Sequence, residues 1–104
     1  MRAGSLNRRI TIERPVEMVD AYGAPSTAWH FHASVRADVV TEAVEIARES
    51  GAAFETTATI RLRHLPAGVA LADRVILDGI AFDVVSVVAD RRRETTIKAV
   101  VRGV

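Results

Sequence analysis

His30 and His32 place two imidazoles on one face of an extended segment, and His64 supplies a third nitrogen donor, so a metal site is the first chemistry to weigh. Such a site needs further donors at a recognisable ligand spacing, and no carboxylate cluster completes one; exposed strand histidines are the simpler reading. Ser34, His32 and Asp38 hold the three residue types of nucleophilic catalysis, yet Ser34 lacks the sharp turn that would present its hydroxyl. Asp73, Asp78 and Asp90 stand where apolar runs begin or end, as turn carboxylates do. The expectation is a chain without catalytic machinery, cofactor or metal.

Two segments suit contact with partners better than catalysis. Arg91, Arg92 and Arg93 concentrate charge on a short turn that could meet phosphate or an acidic protein surface, although Asp90 and Glu94 on either side make it resemble an ordinary solvated tip. The excursion from Thr41 to Ala53 puts Val44, Ile46 and Ala47 on one side and Glu42, Glu45, Arg48 and Glu49 on another. A loop of that length in a small domain is usually functional or disordered; a protein-contact role is the reading favoured over a floppy linker, which makes Thr41, Glu42, Val44, Glu45, Ile46, Arg48 and Glu49 the candidate contacts. Tyr22, Gly23, Trp29 and Gly79 are expected to be structural, Trp29 because it begins a long strand in phase with the core set.

Composition limits what can position these groups. A chain of 104 residues removes about 60 to 70% of its unfolded surface from water on folding, enough for one modest core and one domain, residues 1–104. Hydrophobic residues make up 49% and charged residues 26%, the balance of a globular protein, and no apolar run approaches the roughly 20 residues of a membrane span. No continuous apolar segment precedes Arg8 and Arg9, so a secretory signal is not expected. Cysteine is absent, which excludes disulfides and thiolate metal sites and is compatible with a reducing cytoplasm. A formal charge of +1 gives no general attraction to nucleic acid or anionic lipid, so any DNA contact must be local.

Hydrophobic period assigns the elements. Arg8 to Glu13 alternates with Ile10 and Ile12 on one face, the signature of a half-buried strand. Pro15 breaks the ladder, and Asp20, Gly23, Pro25 and Ser26 mark a loop that Met18, Val19 and Tyr22 could fasten to the body. From Trp29 to Val39 the apolar residues Trp29, Phe31, Ala33, Val35, Ala37 and Val39 alternate with polar ones, a run long enough to bend across sheets or to project. Thr41 to Ser50 carries helix signals: Thr41 as a cap, early Glu42 and Glu45, helical spacing of apolar residues and Gly51 as a stop. Phe54 to Leu62 alternates again, so two long strands should form a protruding hairpin with a short helix-prone segment, 41–53, near its tip. Arg74 to Leu77, the turn at Asp78 and Gly79, Phe82 to Val88, and Thr95 to Val101 complete six strands. The expected fold is all-β: a small six-stranded antiparallel barrel or sandwich.

One ordered pattern goes further. Gly4, Leu6 and Arg9-Ile10-Thr11-Ile12, then Asp20-Ala21-Tyr22-Gly23 before Trp29, Val35-Arg36-Ala37, Thr59-Ile60-Arg61, Arg74-Val75 and Gly79-Ile80-Ala81-Phe82-Asp83-Val84 follow each other across essentially the whole chain. This pattern resembles the phage head-tail joining proteins, the head-closure or stopper proteins of tailed phages and phage-like gene transfer agents. The resemblance implies a structural virion protein at the head-tail junction, assembled in the bacterial cytoplasm. Its subunits would form a ring with themselves, with six expected, below the portal and adaptor. That ring would close the DNA-filled head and receive the tail terminator or tail tube, with packaged double-stranded DNA passing through and no membrane involved. The loop of such rings reaches into the channel or the neighbouring ring, and Thr41 to Ala53 holds that position here. A different use of the fold is a small barrel that binds single-stranded nucleic acid through Trp29, Phe31 and the arginine triplet; the low aromatic content, 5%, speaks against it.

Overall fold

The computed structural model describes residues 8–48, 51–63, 65, 68–89 and 94–102. Six antiparallel strands, β1 (Arg8–Val19), β2 (Pro25–Arg48), β3 (Gly51–Arg63), β4 (Arg74–Leu77), β5 (Ile80–Ala89) and β6 (Glu94–Arg102), close in the order β1-β2-β3-β6-β5-β4. The ring is completed by β4 lying beside β1, where Thr11 to Glu13 pairs with Arg74 to Ile76.

Alternation built this barrel as the sequence indicated. Ile10 and Ile12 of β1, Ala37 of β2, Ala58, Ile60 and Leu62 of β3, Val75 and Leu77 of β4, Phe82 and Val84 of β5, and Ile97 and Ala99 of β6 face one another inside. Every strand therefore contributes to a single core, and every other residue is left for the outer surface. Ile60 is fully buried on β3, flanked by Val39 of β2 and Ile97 of β6. Ile60→Ala should lower the unfolding free energy by about 3 to 4 kcal/mol, read as a lower urea midpoint at unchanged slope.

β2 is the unusual element. Its 24 residues would span roughly 80 Å if straight. The longest dimension of the molecule is 48 Å, so the strand must coil. It does so by exchanging partners: Pro25 to Ala37 pairs with β1, and Asp38 to Arg48 pairs with β3. The pairing with β1 also slips between Ile12 and Glu13, leaving His32 as the extra residue opposite them. A bulge of one residue moves all later side chains to the opposite face. Trp29 and Phe31, in phase with the core by alternation, are thereby turned outward, and Phe31 is 69% exposed.

Two further expectations are corrected. Residues 41–48 are strand, and no helix occurs among the described residues. The segment carries helical spacing, but Thr41, Val44 and Ile46 are β-branched, and residues 51–58 offer an unbroken antiparallel partner for its backbone, from Thr41 opposite Ala58 to Arg48 opposite Gly51. The first strand does not stop at Pro15 either. Past Glu13 it has left β4, so a proline sits beside one free edge, where a missing donor is tolerated.

Candidate partner-contact surfaces

Two ribbons leave the barrel. One is the β1–β2 ribbon, residues 14–19 paired with 25–30; the other is the far end of β2 with the start of β3, where Glu45 to Arg48 pairs with Gly51 to Phe54. Among the described residues, β2 has a strand neighbour on one side at a time, β1 as far as Ala37 and β3 from Asp38 onward.

The root of the first ribbon is held on both faces by consecutive residues. On the inner side, Arg14 Nε and a terminal guanidinium nitrogen donate to the two carboxylate oxygens of Asp73 at 2.9 and 3.0 Å. The same carboxylate accepts from the Ala70 backbone N–H at 2.8 Å, and the Asp73 side chain is fully buried. On the outer side, Arg74 pairs with Glu13 at 2.7 Å while its guanidinium carbon lies 4.2 Å from the centre of the Trp29 ring. Ion pair and cation–π contact act on one arginine, which gives Trp29 its structural role on the outer face rather than in the core. Glu13-Arg14 thus meets Asp73-Arg74 with the signs opposed at each step.

Burial acts to raise the Asp73 pKa. The Arg14 hydrogen bonds, the Ala70 N–H and the charges of Arg14 and His32 lower it by more, so it lies below the ordinary carboxylate value. Asp73 is therefore an anchor; its place before a strand had suggested only a turn. No sequence signal links it to Arg14, 59 residues away.

The other candidates separate. His32 Nε2 lies 2.8 Å from the Gly68 carbonyl oxygen, Ser34 Oγ accepts from Arg9 at 3.3 Å, and Asp38 lines a shallow depression of about 250 Å³ with Val40, Thr59 and Arg61. The three residue types of a triad are each engaged elsewhere. Among the described residues no three His, Asp or Glu side chains converge as a metal site; His64 lies outside the described residues.

In the turn between β1 and β2, Asp20 Oδ1 accepts from the N–H groups of Tyr22 and Ala24 at 2.8 and 2.9 Å, and Gly23 takes φ 82°. That carboxylate shapes the loop. The expected fastening by Met18, Val19 and Tyr22 is absent, because all three are exposed, the Tyr22 ring at 96%. At the β4–β5 turn both Asp78 and Gly79 have positive φ, 52° and 80°, as a two-residue hairpin with matching right-handed twist requires. Asp78 also pairs with Arg8.

Of the proposed loop contacts, Thr41, Glu42 and Glu45 are exposed on β2. Val44, Ile46 and Arg48 take part in its backbone ladder opposite Glu55, Ala53 and Gly51. Glu49 and the triplet Arg91, Arg92 and Arg93 lie outside the described residues. Exposed apolar groups occur on the ribbons, Val16, Met18 and Val19 on the first and Phe54 on the second, and also on the barrel, at Phe31, Val40, Leu71, Ile80, Val85 and Val88.

Fold and surface together define an all-β closed sheet that presents projecting ribbons and no assembled catalytic centre among its described residues. The phage head completion protein family model matches residues 1–102, and the chain belongs to that family. Its role is accordingly structural, in completing the head of a virion particle. Among solved structures, a chain in the virion of a native gene transfer agent particle is 25% identical, with a TM-score of 0.72 over 93% of this chain and 94% of that one. Protein SF1141 of Shigella flexneri 2a, solved in solution, shares the fold at a TM-score of 0.68 and 18% identity, covering 95% of each chain. No curated protein matches the sequence.

Proposed function

We propose that this chain is a head-closure subunit, a stopper. Copies assemble as a ring, with six expected, below the portal and adaptor, close the DNA-filled head and offer a surface to the tail terminator or tail tube. The family match over residues 1–102 carries this reading, since it includes both the barrel and the ribbons that a bare barrel would not need. The likeness to a chain from a gene transfer agent virion supports it.

The physical properties agree. A closure ring must hold DNA without gripping it, because a densely cationic lumen would impede ejection, and the chain has a formal charge of only +1. Long exposed strand edges let modest contacts multiply when identical subunits close on themselves. The ribbon of β2 and β3, with Thr41, Glu42 and Glu45 exposed, is the part proposed to reach the channel or the adjoining ring.

Deleting the gene in the producing cell tests the proposal. Electron microscopy should show tailless heads beside finished tails, and nuclease-protected DNA should be lost. Normal tailed, DNA-filled particles would overturn it.

A further inference from the structure

The overall charge conceals a division of sign. On the outer face of β1, β2, β3 and β6, Arg9, Arg36, Arg61, Arg63 and Lys98 are all exposed, with Asp38 and Glu94 as the carboxylates among them. Register brings these cations together: Arg9 stands directly opposite Arg36, Arg61 lies between Asp38 and Thr96, Arg63 faces Glu94, and Lys98 faces Thr59. Like charges directly opposite each other weaken a sheet, so the Arg9 and Arg36 pair is unfavourable in the isolated subunit. None of the three ion pairs between described residues involves any of these five cations.

The ribbon has the reverse character. Between Thr41 and Ala53 the sequence holds Glu42, Glu45 and Glu49 against the single cation Arg48. Glu42 and Glu45 are exposed, and neither makes an ion pair with a described residue. Along β2, Glu45 lies nine residues and Glu42 six from Arg36, about 30 and 20 Å of extended strand, and Glu42 stands opposite Thr57, four residues or about 13 Å from Arg61, so none of these pairs is within ion-pair reach in one subunit.

We infer that the basic flank is the docking surface for the acidic β2–β3 ribbon of a second copy. The two surfaces differ in sign and follow one another along β2, the flank as far as Val40 and the acidic segment from Thr41, so a contact between the flank of one copy and the ribbon of another is heterologous: it leaves a free flank at one end and a free ribbon at the other until the ring closes. The depression lined by Asp38, Val40, Thr59 and Arg61 lies within the flank and provides an apolar contact beside the charges. Burying the flank between copies also neutralises its cations, which keeps the assembled ring from gripping DNA. The inference rests on the head-closure reading and specifies its subunit contact.

Charge reversal tests it in particles from the producing cell. Glu42→Lys with Glu45→Lys, and Arg36→Glu with Arg61→Glu, should each lower the yield of DNA-retaining particles at least tenfold. All four together should restore the yield to within threefold of the parent. A quadruple variant as defective as the worse double variant overturns the contact. In a second measurement, the naturally cysteine-free chain carries Glu42→Cys and Arg36→Cys. A bifunctional thiol reagent should then give an intersubunit ladder in particles, while either single variant gives none beyond dimers. Particles that contain the chain without a ladder refute the docking. Complete particles that never contain the wild-type chain refute the head-closure reading instead. Salt-dependent binding of double-stranded DNA that is lost with Arg36→Glu and Arg61→Glu, and not restored in the quadruple variant, would assign the flank to DNA and overturn the inference.

Discussion

Asp73→Ala lowers the unfolding free energy by about 2 to 4 kcal/mol, because it removes a fully buried carboxylate that accepts two Arg14 hydrogen bonds and the Ala70 N–H. The cost falls where β1 parts from β4, so the ribbon loosens with the barrel rim. Removing the other partner gives a sharper signature. The folded-state pKa of Asp73 lies below its unfolded value, so its contribution to stability is present above about pH 4 and is lost as pH falls through the folded value. In Arg14→Ala the carboxyl keeps its burial but loses its main hydrogen-bond donor and nearest charge. Burial then meets only the Ala70 N–H and the His32 charge in opposition, so the pKa rises from its value in the parent. The gain in stability with rising pH shrinks accordingly, because the folded and unfolded values differ less in that sense. Urea midpoints between about pH 3 and 7 should therefore rise with pH in the parent and diverge downward from it in the variant. Parallel profiles for the two proteins would show that Arg14 does not set the ionisation of Asp73.

This clamp marks the boundary of what could be read from the chain. Ile10, Ile12, Ile60, Leu62 and Ile97 could be placed in the core because a strand repeats every two residues and each repeat is local. Asp78 and Gly79 could be placed in a turn because positive φ selects their residue types. Trp29 and Phe31 could not be oriented, since their face depends on a one-residue slip against β1 that leaves no mark in an alternating sequence. The helical pattern of Thr41 to Arg48 gives way to strand for a related reason. Ala43, Val44, Ile46 and Ala47 satisfy both helical spacing and a mixed strand pattern, and the choice was made by a partner strand beyond Gly51. The candidate contacts lie on the same segment, and the structure presents it as a ladder of two strands in place of a helix-prone tip.

Replacing Thr41 to Ala53 by a short Gly-Ser turn should leave a folded barrel that no longer completes particles. No residue between these positions whose burial is described belongs to the core, and the outermost described β2 and β3 core members, Ala37 and Ala58, remain on either side. The pairing of β3 with β6 from Glu55 to Arg63 is also retained. The replacement does remove the pairing of Thr41 to Val44 with Glu55 to Ala58, so stability should fall, but by less than the loss of a core side chain, since the β3–β6 ladder stays intact. Assembly should fail nonetheless. The deletion removes Glu42, Glu45 and Glu49, the groups proposed to meet a neighbouring subunit, together with the span proposed to reach the channel or adjoining ring. A denaturant midpoint only modestly below that of the parent, combined with heads that lose DNA and carry no tail, would separate the ribbon's role from that of the barrel. DNA-retaining tailed particles built with the shortened chain would show that the barrel alone suffices, and the ribbon would then have no part in closure.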